Sequence, residues 1–265
     1  MNLPDLKLDF RGKVVVITGG SRGIGHAMAL GFAKAGAKLA IASRKIDSCE
    51  TTVEEIRALG SDGSAHGIHV GKWTDCDRLF EEVYARWGRA DVLINNAGLS
   101  PIAPSSLDTT QDLFDKVIGV NLRGPFRLTS LFATRMIKDR GGAVINISST
   151  SSIRPEPETT PYAAAKAGLN IMTVGLAQEY GPTVRVNCIM CGPFHTDISK
   201  GWSRTPDYTK RAKETFPLQR AGEPEEVVGA ALYFASPLAS FTTGAVLRID
   251  GGTVHPLQHR VYEER

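Results

Sequence analysis

The chain has 265 residues, 42% of them hydrophobic and 22% charged, with a formal net charge of +3. That size buries a full core, and the weak, scattered charge gives no basic face for nucleic acid or an acidic membrane. No run approaches the ~20 apolar residues of a membrane span. Pro4, Asp5, Lys7 and Asp9 stand where a signal peptide needs an apolar stretch, and the four cysteines lack a framework spacing. The expectation is a cytoplasmic protein without disulfides.

Val14-Val15-Val16-Ile17 predicts a buried strand, followed by a glycine-rich turn and a helix. On that helix Ile24, Ala27, Met28, Gly31, Phe32 and Ala35 recur at helical spacing and make one apolar face. Leu39–Ala42 is the second strand, a polar helix spans Ile46 to Leu59, and a third strand is expected near His66 to Val70. A helix near Cys76 to Trp87 leads to the strand Asp91–Ile94. One long helix is expected from Gln111 to Lys138, then a strand at Ala143–Ile147. Thr160-Pro161 has the composition of a helix start, with Thr as N-cap. Val184–Ile189 is strand six, Glu223-Pro224-Glu225-Glu226 opens a helix, and Val246–Ile249 is the last strand.

Alternating β and α units with continuously apolar strands predict a doubly wound, mostly parallel sheet of the Rossmann type, seven strands with helices on both faces. No linker or repeat divides the chain, so one dinucleotide-binding domain over residues 1–265 is expected. A polar, strand-poor insertion near 196–222 forms a flexible substrate loop.

Thr18-Gly19-Gly20-Ser21-Arg22-Gly23-Ile24-Gly25 occupies the turn after the first strand. Glycines there let backbone approach a pyrophosphate, whose charge the helix N-terminus stabilises. The spacing is neither GxGxxG nor a P-loop. At the end of strand two a carboxylate would select NAD(H) by bonding a ribose hydroxyl. Ser43-Arg44-Lys45 stands there instead, with Arg22 nearby, which favours NADP(H) through guanidinium–phosphate contacts and leaves NAD(H) as the alternative.

Tyr162 and Lys166 are four residues apart on one helix and share a face. A nearby ammonium is expected to lower the phenol's pKa and tune it for proton transfer. Ser149 ends strand five, at the carboxyl edge where ligands of open α/β sheets bind. Cys188-Ile189-Met190-Cys191 has metal or redox spacing, but it closes a strand and lacks two further ligands, so no metal site is expected.

The chain resembles the short-chain dehydrogenase/reductase family over essentially its whole length. The resemblance rests on Thr18 to Gly25, Asn95-Asn96-Ala97-Gly98, Asn121, Ser149, Tyr162-x3-Lys166 and Gly192-Pro193, with Ser149 thirteen residues before Tyr162. It implies an oxidoreductase that passes a hydride between nicotinamide and a carbonyl or secondary alcohol, with Asn121, Ser149, Tyr162 and Lys166 catalytic and Tyr162 the acid/base. It also implies that Asn121 holds a water behind Lys166. Cofactor contacts are implied for Gly19, Ser21, Arg22, Gly23, Ile24, Gly25, Ser43, Arg44, His69, Val70, Asn95, Ala97 and Gly98. Tyr162, Lys166, Gly192, Pro193, Phe194 and Thr196 complete that set. Two departures stand out: His69 where the family commonly has Asp, and Cys191 where it usually has Pro. The family commonly forms tetramers, so a homotetramer or dimer is expected, with residues 254–265 long enough to reach across an interface. The competing class is a catalytically inactive, cofactor-sensing regulator on the same fold. Retention of Asn121, Ser149, Tyr162 and Lys166 argues against it.

Overall fold

Val14–Thr18 forms β1, entirely buried, because its β-branched side chains fill both faces of a sheet. The computed structural model describes residues 8–197 and 199–255. β1 is followed by α1 (Gly23–Lys34), β2 (Lys38–Ser43), α2 (Ile46–Ala58), β3 (Gly63–Gly67), α3 (Trp73–Trp87) and β4 (Val92–Asn95). Then come α4 (Gln111–Ile118), α5 (Gly124–Lys138), β5 (Gly142–Ser149), α6 (Thr160–Tyr180), β6 (Val184–Cys191), α7 (Pro206–Thr215), α8 (Val228–Ala235) and β7 (Val246–Ile249). The strands lie in the order β3-β2-β1-β4-β5-β6-β7, and every recorded pairing is parallel.

Two apolar layers sandwich this sheet. Met28 and Phe32 of α1, Val53 and Ile56 of α2 and Phe234 of α8 pack on Val15, Ile17, Leu39, Ile41 and Ile94. On the opposite face Leu79 and Val83 of α3, Leu128 and Phe132 of α5 and Leu176 of α6 pack on Val14, Val16, Leu93, Val144 and Val186. Alternate residues of one strand thus serve opposite cores, as the two-residue period of a strand dictates. The strand order reverses direction between β1 and β4, and ligands of such sheets bind at that switch point.

Three elements differ from the sequence reading. The third strand is Gly63–Gly67, three residues earlier than its apolar residues suggest. It is an edge strand whose pairing with Leu39–Ser43 sets its register, and Ile68, His69 and Val70 form the turn that follows. The helix expected from Gln111 to Lys138 is interrupted by a π-helical turn, Gly119–Arg123, which contains Asn121. Thr160 is the first residue of α6, not its N-cap; Thr159 holds the N-cap position without a side-chain capping bond, because a 3₁₀ turn at Pro157–Thr159 feeds the helix. The insertion near 196–222 carries α7, capped by the Thr205 hydroxyl accepting from the Tyr208 amide.

Candidate active site

The turn after β1 is built to be open. Gly19 and Gly23 adopt φ of +66° and +54°, in the left-handed region. A Cβ at Gly25 would lie 2.2 Å from the Gly19 carbonyl oxygen and 2.4 Å from Asn96 Nδ2, so the turn closes only without one. The N-cap of α1, Arg22, makes no side-chain capping bond, which leaves the first-turn amides of α1 without a side-chain partner. Such a terminus suits a pyrophosphate, so the residues present fit a dinucleotide.

Thr18 and Asn96 lock this turn to the loop after β4. The Thr18 hydroxyl accepts from the amides of Asn96 and Ala97, and Asn96 Nδ2 donates to the carbonyls of Thr18 and Gly19. Ser21 donates to the Ser43 hydroxyl at 3.0 Å, joining the turn to the end of β2. Between these loops lies a cleft of about 310 Å³ lined by Arg22, Arg44, Gly98, Leu99, Ser100, Pro101 and Lys116.

Pro101 also borders a narrow crevice of about 10 Å³, where Tyr162 and Pro161 meet Ala103, Thr109, Leu113, Val117 and Glu158. Ser149 and Lys166 both meet Tyr162. Lys166 is buried, and its ammonium donates to the Ile147 carbonyl at 2.8 Å and lies 5.8 Å from the centre of the Tyr162 ring. Burial pulls its pKa down to about 8. Burial likewise pushes the Tyr162 phenol above its ordinary value, while hydrogen bonding with Ser149 works in the opposite direction. Desolvation is the largest influence on this phenol, so its pKa lies above the ordinary value where the sequence predicts a lowering by Lys166.

Asn121 is fully buried in the π turn. Its Nδ2 donates to the carbonyls of Leu99 and Val117, and its Oδ1 accepts from the Leu99 amide at 3.3 Å. A Cβ at Gly98 would stand 3.1 Å from Asn121 Oδ1 and 3.6 Å from Lys166 Nζ, so a glycine there leaves those two groups facing one space.

The structure holds the other expected contact residues as follows. The Asn95 side chain is buried inside the sheet and donates to Asn146 Oδ1 and the Thr129 hydroxyl, a role in steadying the sheet. The Phe194 ring is buried in the core against Gly222, where a Cβ would lie 2.5 Å from it. His69 Nδ1 accepts from the Gly71 amide, which leaves the proton of a neutral ring on Nε2, a donor. His69 thus meets its surroundings as a donor rather than as an acceptor for an adenine amino group. Val70 is buried, and its carbonyl lies close to Gly124. Gly192 packs on Asp250, Pro193 accepts from the Gly222 amide, and Thr196 is bonded to Ser199.

Cys188 and Cys191 are buried free thiols whose pKa burial pushes up to about 12. Among the described residues no group of His, Cys, Asp and Glu is placed to hold a metal ion. Arg154, between Ser149 and Tyr162, donates to the carbonyls of Thr253 and Val254. In the 196–222 insertion Tyr208 packs on Trp202 and Phe216 with ring centres 5.1 and 5.9 Å apart. Residues 256–265 of the tail lie outside the described residues. The sequence reading missed Lys116: a single lysine on a polar helix carries no pattern that marks it.

Comparison with known proteins gives a consistent picture. The family described as Enoyl-(Acyl carrier protein) reductase matches residues 19–254. The chain is 37% identical over 248 residues to 3-oxoacyl-[acyl-carrier-protein] reductase FabG of Thermotoga maritima, covering 92% of this chain and 98% of the relative. It is 33% identical over 242 residues to Dehydrogenase/reductase SDR family member 4 of Homo sapiens, covering 91% and 87%. Among solved structures, 7α-hydroxysteroid dehydrogenase complexed with NADH and 7-oxo glycochenodeoxycholic acid superposes with a TM-score of 0.89 at 30% identity, covering 95% of this chain and 98% of that one.

Proposed function

The chain belongs to the short-chain dehydrogenase/reductase family of NAD(P)-dependent hydride-transfer oxidoreductases, and from that premise we propose that it is an NADP(H)-preferring carbonyl reductase with Tyr162 as proton donor. The observation that carries this reading is that Ser149 and Lys166 both meet Tyr162, whose crevice shares Pro101 with a cation-lined cleft.

The nicotinamide, when bound, supplies the hydride. The Ser149 hydroxyl holds the substrate oxygen, and the Tyr162 phenol delivers a proton to that oxygen as the carbonyl becomes an alcohol. Lys166 orients the ribose hydroxyls with its ammonium, and Asn121 positions the water that restores the phenolic proton. The first-turn amides of α1 and the glycines Gly19, Gly23 and Gly25 take the pyrophosphate, with Ser21 and Ile24 beside it. Ser43 and Arg44, with Arg22, would hold the 2′-phosphate side of the adenosine ribose, and Ala97 and Gly98 would contact that ribose. Gly192, Pro193 and Thr196 would hold the nicotinamide end.

Pro101, Ala103, Leu113, Val117 and Pro161 make the wall beside the phenol mainly apolar, which favours a carbonyl carried on an apolar group. Among the described residues no helix is long and apolar enough to cross a membrane. We place the protein in the cytoplasm as a single-domain homo-oligomer acting on a small molecule.

Fluorescence titration with NADPH and NADH in parallel tests the cofactor reading. NADPH is expected to bind about tenfold tighter or more, and Arg44→Ala to erase most of that margin, because charge-assisted bonds to phosphate contribute about 1.5–3 kcal/mol. Equal or tighter NADH binding overturns the preference. Failure to bind either overturns the enzyme reading.

A further inference from the structure

Lys116, on α4, lines the 310 Å³ cleft together with Arg22 of the glycine turn and Arg44 just after β2, and among the described residues no acidic side chain lines it. Several cations elsewhere are paired, among them Lys13 and Arg89 with Asp91, Arg127 with Asp77 and Arg220 with Glu226. Among the described residues Arg44 and Lys116 form no ion pair, and Arg22 has only a loose contact, 4.0 Å from Asp197. Asp112 precedes Lys116 by four residues, the spacing that most readily forms a helical ion pair, yet the lysine lines the cleft and no such pair is formed.

Three like charges around one small volume repel one another unless an anion sits between them. The chemistry that fits is a dianionic phosphate monoester. The pyrophosphate is already provided for at the open N-terminus of α1. We propose that Lys116 is a third ligand of the 2′-phosphate of NADP(H), together with Arg22 and Arg44; this rests on the NADP(H) preference proposed above. Cofactor choice is then shared by three separate elements: the turn after β1, the end of β2, and α4. The last is also tied to the catalytic space, because Asn121 bonds the carbonyls of both Val117 on α4 and Leu99 in the cleft wall.

The test uses the whole protein and four probes: NADPH and NADH by fluorescence, 2′,5′-ADP and 5′-AMP by calorimetry. Lys116 is exposed, so Lys116→Ala leaves the core intact. The variant is expected to weaken NADPH and 2′,5′-ADP about tenfold while NADH and 5′-AMP stay within about twofold, and Lys116→Arg should retain most of the affinity. The salt dependence of NADPH binding should become shallower by about one ion. Unchanged 2′,5′-ADP binding in Lys116→Ala overturns the proposal, and so does an equal loss for NADH, which would put the ammonium on the pyrophosphate. If the native protein prefers NADPH and Arg44→Ala removes that preference while Lys116→Ala does not, Lys116 alone is refuted. A native protein without preference refutes the parent reading and this one together.

Discussion

Lys166 carries a cost that its function explains. Its pKa falls from 10.5 to about 8 in the fold, so the unfolded chain binds more protons between those values. Stability therefore rises with pH across that window, and below about pH 8 the full penalty of roughly 3 kcal/mol is present. Lys166→Met is expected to remove most of it and to lose the bond to Ile147, for a net gain of about 1–2 kcal/mol and a Tm several degrees higher at pH 7. The gain should fade above about pH 10, where the lysine is neutral in both states. Thermal unfolding of the two proteins across that range checks this; a less stable variant at pH 7 contradicts it. Ser149, Tyr162 and Lys166 were legible in the sequence because a four-residue helical spacing and a strand end fix positions locally. Asn95, Phe194, His69 and Lys116 were not, since which way each side chain turns is decided by packing between distant segments.

The β1–α1 element shows how one turn couples folding to binding. Gly25 touches both the Gly19 carbonyl and Asn96 Nδ2 at distances no Cβ tolerates. Gly25→Ala must shift the start of α1 away from the β4 loop, at a cost of about 1–3 kcal/mol. On the proposal that those first-turn amides take the pyrophosphate, this variant is expected to weaken NADH and NADPH alike, unlike Arg44→Ala. Equal affinities for native and variant protein in the same titration would show that the turn does not hold the pyrophosphate. Most elements follow from apolar periodicity, and β1, β2, α1 and β7 lie within a residue or two of their expected bounds. Two features escape that logic. β3 (Gly-Ser-Ala-His-Gly) has little apolar content, so its place at the sheet edge comes from pairing with β2. The π turn at Asn121 shifts the hydrogen-bond ladder without changing the pattern of side chains, which hides it from any reading of periodicity.

At the scale of the molecule, a parallel sheet covered on both faces follows from alternating βα units, and the strand order puts the loops after β1, β4 and β5 at one carboxyl edge. That edge carries two spaces with different chemistry, a cationic cleft and a mainly apolar crevice, and Pro101 borders both. On the proposed function the cleft takes the nucleotide and the crevice the reacting carbon. The central claim is that Tyr162 supplies the proton and has no part in holding the fold. The direct measurement is turnover of Tyr162→Phe on a ketone or aldehyde that the native protein reduces, paired with its NADPH affinity. The account predicts turnover lower by about 100-fold or more, with NADPH affinity within about twofold of native. A variant that turns over at the native rate would contradict it.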